Sequence, residues 1–152
     1  MAKHFDVATT LQYETQQTID HWYSRVESES ELSAIHMSRE SRCAHLPDLF
    51  RDLVNRLRSK LPLGKSALTS EAAQNHGRLR RDQGYTPSMM VEESRMLQVS
   101  IFETLQEHVE ETEAGVLLLS VMVIADEVDS QLAQAMSSFV HESTLDAKAI
   151  SA

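Results

Sequence analysis

Apolar residues recur at three- and four-residue steps along most of this chain, a spacing that places them on one face of a helix. The pattern predicts long helices over residues 6–27, from Pro47 to a break at Leu61–Gly64, from about residue 70 to residue 83, over 87–110, and from about 110 onward. Short connections between long helices favour antiparallel neighbours. We therefore predict one all-α domain over residues 1–152, an antiparallel bundle of four to six helices.

A sharp corner is predicted where two of these helices meet. Gly84 suits the positive φ of a helix end, Thr86 is a suitable N-cap, and Pro87 is a suitable first helical residue. Tyr85 and Met90 have the spacing of a hydrophobic staple, which fixes the angle at which a chain enters a helix. The sequence thus predicts one helix ending before Gly84 and another beginning directly after it.

Residues 28–45 have a weaker pattern. Ser28 and Glu31 have the spacing of a capping box, and Leu32 and Ile35 continue a sparse helical stripe. We expect either a short helix or a mobile loop here.

The last predicted helix changes character along its length. From Val116 to Ala125 it is apolar almost all round, over about half the length of a bilayer span, which indicates a central, largely buried helix and no membrane segment. Later apolar positions narrow to a stripe that persists through Phe139 and Val140. Because a monomer has little reason to keep such a stripe there, we expect this later part to be a surface or interface helix in a homodimer.

Composition and charge restrict the function classes. The 152 residues include only 4 glycines and 3 prolines, as expected of a helical protein, and 14 basic against 23 acidic residues give a net charge of −9. Such a charge repels nucleic acids and anionic membranes, so neither is an expected partner. Cys43 is the single cysteine, and the N-terminal residues have no apolar core of a secretory signal. We expect a cytoplasmic protein.

Three polar residues near the predicted corner are candidate functional residues. Arg80 lies about one turn before Gly84, and Glu93 about two turns after Thr86, so packing across the corner would pair them, with His76 nearby. If both instead point to solvent, the pair contributes little. His76 itself is either a ligand- or pH-sensing group or a structural histidine on a packed face.

Other chemistry finds little support. The seven histidines include no two that are four apart, no His-Glu-x-x-His and no Glu-x-x-His, so no metal site is expected. Cys43 and the serines have no Gly-x-Ser-x-Gly or nucleotide-binding glycine loop around them, so we expect no enzyme. Gly77, in a predicted helix interior, indicates a close approach by a neighbouring helix.

Four stretches together resemble a known family. They are Thr18-Ile-Asp-His-Trp, His45-Leu-Pro-Asp-Leu-Phe, His76-Gly-Arg-Leu-Arg-Arg-Asp-Gln-Gly-Tyr and Met89-Met-Val-Glu-Glu-Ser-Arg-Met-Leu, with Ala125-Asp-Glu-Val-Asp after them. In order and spacing they are similar to the N-terminal sensory domain of RsbRD-type stress-signalling proteins, which in bacteria also precedes histidine-kinase and transcription-regulator domains. The chain differs from that pattern at Ser94, often an aromatic, and at Gln98, often an arginine. The positions that the resemblance marks as recurrent are Trp22, Leu46, Pro47, His76, Gly77, Arg80, Gln83, Gly84, Glu93 and Leu97.

The resemblance implies a function and a set of residues. It implies a non-enzymatic signal-input domain, free-standing or cut from a longer protein, that passes a change in helix packing to an output kinase or regulator. Its ligand-sensing or structural residues would be His76, Arg80, Glu93, Gln83 and Trp22. The alternative is a globin-like protein that holds haem or a small molecule between the Trp22 helix and the last helix. Because the RsbR-like domains include globin-like members without haem, we expect no cofactor.

Overall fold

The computed structural model of the chain describes residues 6–59, 62–64, 69–108 and 114–151. All regular structure in this part of the chain is helical, which confirms the predicted all-α class, whereas globin-like packing stays a prediction. Five of the helices have 12 or more residues, and three short helices lie between or before them. The helices are α1 (Val7–Tyr13), α2 (Thr15–Ser28), α3 (Ser30–Ser33), α4 (Arg39–Cys43), α5 (Leu46–Arg58), α6 (Glu71–Asp82), α7 (Pro87–His108) and α8 (Ala114–Ser151).

The single helix predicted over residues 6–27 is two helices, so that prediction is wrong in detail. The break lies at Glu14, whose backbone has φ −96° and ψ 14°. Hydroxyls next to the break donate to the carbonyl four residues earlier, from Thr15 to Leu11 at 2.8 Å and from Thr18 to Glu14 at 2.8 Å. Such bonds compete with the helical amides and bend the helix, and the apolar spacing does not reveal them.

The corner around Gly84 forms as predicted. Gly84 has φ 90°, and the Thr86 hydroxyl accepts a hydrogen bond from the Met89 amide at 3.3 Å, as an N-cap does. The preceding helix α6 has its own cap, because the Ser70 hydroxyl accepts from the Ala73 amide at 3.1 Å. The predicted end of α7 at Glu110 and the acidic start of the last helix lie outside the described residues.

Residues 28–45 contain the short helices α3 and α4, and a buried arginine fixes them to the rest of the domain. Arg42 donates to the carbonyl oxygens of Leu32, at 3.3 Å, and of Ile35, and its other terminal nitrogen donates to the Tyr85 hydroxyl at 2.7 Å. The segment is therefore tied directly to the corner that follows α6.

The burial predicted along α8 is reversed. The first turns, predicted to be central, expose Val116, Leu118, Leu119 and Met122 by 47–61%, whereas the buried apolar residues run from Ile124 to Phe139. At 38 residues α8 is about 57 Å long, and its main neighbour, α6, has only 12 residues. Within the described residues, the beginning of α8 thus extends beyond the helices that cover its later turns.

The buried interior combines a large apolar core with a few charged groups. The Trp22 side chain has no exposed surface, and α2, which includes it, packs against α7. Two arginines, Arg42 and Arg80, rank with the leucines among the largest fully buried side chains. No helix in the part of the chain that the structure describes is long and apolar enough to cross a membrane.

Candidate functional site

A buried polar cluster occupies the point where α5, α6 and α7 approach one another. Glu93, in the second turn of α7, receives hydrogen bonds on one carboxylate oxygen, Oε1, from two residues of α6. The His76 Nε2 lies 2.8 Å from this oxygen, and the Arg80 Nε lies 3.1 Å from it. All three side chains are more than 90% buried. The structure thus brings together the three residues that the sequence placed near the corner.

All three guanidinium nitrogens of Arg80 donate hydrogen bonds to other residues of the protein. Besides the bond to Glu93, its terminal nitrogens donate to the side-chain oxygen of Gln83 at 2.7 Å and to the backbone carbonyl of Arg42 at 2.7 Å. Its guanidinium carbon lies 4.8 Å from the centre of the Tyr85 ring, within reach of a cation–π interaction. Arg80 therefore connects α6, the corner and the α4 segment in one network.

Trp22, in α2, also forms a hydrogen bond with Glu93. Its indole Nε1 donates to the backbone carbonyl oxygen of Glu93 at 3.1 Å. Both the backbone and the carboxylate of Glu93 are thus fixed by buried donors from different helices. The five candidate residues named from the sequence all belong to this one network. His76, Arg80 and Trp22 bond to Glu93 directly, and Gln83 bonds to Arg80.

The sequence did not single out His45, which completes the cluster. It lies directly before α5, and its ring stacks on that of His76 with centroids 3.6 Å apart and planes inclined by 10°. The Trp22 ring meets it edge-on at 5.9 Å. The one signal for His45 was its place at the start of the His-Leu-Pro-Asp-Leu-Phe stretch. Nothing in that stretch shows that it faces a histidine of another helix.

The charge state of the cluster at neutral pH follows from its surroundings. Burial raises the pKa of Glu93, but the hydrogen bond from His76 and the positive charge of Arg80 outweigh burial and hold this pKa at about 2. Burial lowers the pKa of His76 despite Glu93, and burial together with His76 and Arg80 lowers the pKa of His45 well below 6.5. The cluster therefore holds one carboxylate, one guanidinium and two neutral imidazoles.

Three buried polar atoms of the cluster have no hydrogen-bond partner among the described residues. They are the Nδ1 atoms of His45 and His76 and the second carboxylate oxygen, Oε2, of Glu93. Buried polar atoms are nearly always paired with protein or water, so three such atoms in one cluster indicate a place for water or a ligand. Among the described residues, His45, His76 and Glu93 are also the one group whose nitrogen and oxygen atoms are close enough to hold a metal ion.

A small cavity adjoins the cluster. Its volume is about 30 Å³ for the centres of water-sized groups, enough for a water molecule or a similarly small ligand but far below the several hundred Å³ of pockets for drug-sized molecules. A haem would require the helices to separate. The cavity lies between the Trp22 helix and α8. Its walls are formed by Trp22, His45, Leu49, Ala73, His76, Met90, Glu93, Ser94, Leu97, Val128, Gln131, Leu132 and Ala135.

No protein-family model, curated protein or solved structure matches this chain. The resemblance to RsbRD-type sensory domains stays a prediction that rests on the quoted residues.

Proposed function

We propose that this chain is a non-enzymatic signal-input domain of bacterial stress or two-component signalling. In this proposal the buried cluster of His45, His76, Arg80 and Glu93 receives the signal, and a change in helix packing passes through α6 to α8. The observation that carries the proposal is the position of α6: its His76 and Arg80 side chains belong to the cluster, and its Gly77 lies against the α8 backbone.

The exposed start of α8 supports a homodimer. Val116, Leu118, Leu119 and Met122 form an apolar surface within two turns, and such clustered exposure is unusual unless another protein surface covers it. We propose that a second copy of the chain covers it, so that α8 pairs with α8. Dimer formation through a long helix would make that helix sensitive to small shifts of α6, because a shift changes the relative stability of two packings.

The output partner in this proposal is a kinase or regulator, as a fused domain or as a separate protein. The charge of −9 favours a protein partner over nucleic acid. The network at Glu93 supports a sensory role over a catalytic one, because Arg80 and one Glu93 oxygen are already held by internal hydrogen bonds. Those two groups have little freedom to act on a substrate.

Sedimentation velocity tests the dimer. We expect wild-type protein at high micromolar concentration to sediment as a dimer, and Leu119→Glu to sediment as a monomer because a charge would lie in the apolar contact. Val91→Glu is the matched control, since Val91 is a similarly exposed apolar residue on α7. A monomeric wild type, or a Leu119→Glu variant that dimerises as the wild type does, contradicts the proposal.

A second candidate is a small-molecule-binding protein. The cavity lies between the Trp22 helix and the last helix, the location that this alternative requires. Its size favours a ligand of a few atoms over haem. An absorption spectrum of the purified protein distinguishes haem from a ligand of a few atoms. A Soret band would establish haem and show that the helices can separate to admit it.

A further inference from the structure

The ligand of the buried cluster can be inferred from its donor atoms. One nitrogen from His45, one from His76 and one carboxylate oxygen of Glu93 lie within 4.8 Å of one another. Around a first-row metal ion with bonds of about 2.1 Å, neighbouring ligand atoms lie about 3.0–3.5 Å apart. The rings of His45 and His76 are stacked with their planes inclined by only 10°, and an imidazole nitrogen binds an ion in the plane of its own ring. Binding of one ion by both residues therefore requires the two rings to rotate out of this stack.

We propose that His45, His76 and Glu93 bind one divalent first-row transition-metal ion. The three residues come from different parts of the fold: His45 directly precedes α5, His76 lies in α6 and Glu93 lies in α7. Each also has an atom that is buried and lacks a hydrogen-bond partner among the described residues. A bound ion would provide a partner for these buried atoms, whereas a purely structural cluster leaves their lack of a hydrogen bond unexplained.

The donor set decides the class of metal. Two imidazoles and one carboxylate are typical ligands of zinc, iron, cobalt and similar ions, whereas magnesium and calcium require a shell of oxygen atoms. Three protein ligands leave coordination positions open, and the adjoining cavity of about 30 Å³ offers space there for a water molecule or a small exogenous ligand. The site therefore suits an ion that binds a further small molecule.

The surrounding residues would orient the ligands. Trp22 donates to the backbone carbonyl oxygen of Glu93, and Arg80 donates to its carboxylate Oε1. Two buried residues thus fix the position of the Glu93 side chain, as neighbouring residues commonly do for metal ligands. The guanidinium of Arg80 also lowers the affinity for a second cation, because it already neutralises much of the carboxylate charge. We therefore expect weaker binding here than at a site of the same ligands without a neighbouring arginine.

In the ion-free protein, His76 Nε2 donates to Glu93 Oε1 at 2.8 Å, and its proton-free nitrogen is then Nδ1. Either this lone pair binds the ion directly, or the proton moves to Nδ1 and Nε2 binds. In both arrangements the imidazole stays neutral, and the ion binds without a net release of protons from His76.

Cobalt(II) is the probe for the test, because its visible absorption reports both binding and coordination number. The full chain without an affinity tag is stripped with EDTA and titrated with Co²⁺. We expect saturation at one ion per chain, displacement by Zn²⁺, and no displacement by excess Mg²⁺. His45→Gln and His76→Gln should each weaken binding at least tenfold, while His36→Gln, which removes an exposed histidine, should bind as the wild type does.

A second measurement does not depend on folded variants. X-ray absorption of the zinc-loaded wild type should show two imidazole nitrogens and oxygen ligands around the ion. Absence of saturable Co²⁺ binding, unchanged binding in a folded His45→Gln variant, or a zinc shell with fewer than two imidazoles would overturn the metal site.

The role of the ion as signal rests on the function proposed above, but binding is measured separately from signalling. If the ion binds through these residues and leaves dimerisation unchanged, the metal site stands and the sensory role of the cluster fails. If dimerisation follows the α8 prediction and no ion binds, the metal site fails and the dimer stands.

Discussion

Gly77 of α6 lies so close to Ala135 of α8 that a Cβ atom built on it would be 1.9 Å from the Ala135 carbonyl oxygen. The two helices therefore meet backbone to backbone at this point. His76, the neighbouring residue in sequence, belongs to the buried cluster at Glu93. One turn of α6 thus connects the cluster to the long helix, and a rearrangement of the cluster that moves this turn must also move α8 or separate it from α6.

Substitution of Gly77 tests this contact. We expect Gly77→Ala to destabilise the protein by about 3 kcal/mol or more, because no flexible side chain can yield to the added methyl group. Urea denaturation measures the loss. Gly115→Ala is the matched control: an added Cβ there meets nothing within 4 Å, so this change in α8 should be neutral or stabilise by up to about 1 kcal/mol. Equal effects of the two substitutions would show that the close approach is unimportant.

Arg80 is expected to be essential for stability. Arg80→Ala leaves the buried Glu93 carboxylate without its guanidinium partner, and loss of one member of a buried pair typically costs about 3–5 kcal/mol. Arg95→Ala provides the comparison: Arg95 is 61% exposed in its pair with Glu92, so its loss should leave the melting temperature close to that of the wild type. An unchanged melting temperature for Arg80→Ala would refute the buried network.

The sequence predicted the parts of this site that depend on local signals. Gly84, Thr86 and Pro87 specify the corner by backbone preferences, and the corner by itself brings Arg80 near Glu93. His45 was missed because its approach to His76 depends on how α5 packs against α6, which apolar spacing does not determine.

The same limit explains the error along α8. A segment such as Val116 to Ala125, apolar almost all round, indicates that something covers the helix but does not say what. In the structure the shorter α6 contacts α8 in its later turns, where Gly77 lies against Ala135, whereas apolar residues of the first turns are exposed. The prediction therefore placed the buried part of α8 at its beginning, although it lies later in the helix. The helix itself was predicted correctly.

The contribution of His45 to the stability of the metal-free protein should decrease as the pH falls from 7 to 5. Its folded pKa lies well below the ordinary 6.5, so in this range the unfolded chain binds the proton more readily and unfolding is favoured. His45→Gln removes that contribution. The free energy of unfolding of the variant, measured in EDTA, should therefore improve relative to wild type as the pH falls. A difference that is the same at pH 7 and pH 5 would contradict the buried neutral state of His45.

Glu127 should show the opposite dependence. Burial raises its pKa to about 7, against the opposing effects of the Gln131 hydrogen bond and of Arg56. Because the folded protein holds this proton more tightly than the unfolded chain, Glu127 contributes fully to stability at pH values below 4.5, its pKa in the unfolded chain. That contribution is lost as the pH rises through the folded pKa of about 7. Glu127→Gln should therefore be more stable than wild type at pH 8 and no more stable at pH 4.5. A pH-independent difference between the two proteins would argue against the raised pKa.

The most direct test of the sensory account is the dimer dissociation constant of a cluster variant. His76→Gln alters the cluster without touching the exposed surface of α8, and His36→Gln is its control. By sedimentation equilibrium we expect His76→Gln to change the dissociation constant at least threefold, because the cluster biases the packing of α6 on α8. The same dissociation constant for wild type, His76→Gln and His36→Gln would show that the cluster and the dimer surface are not coupled.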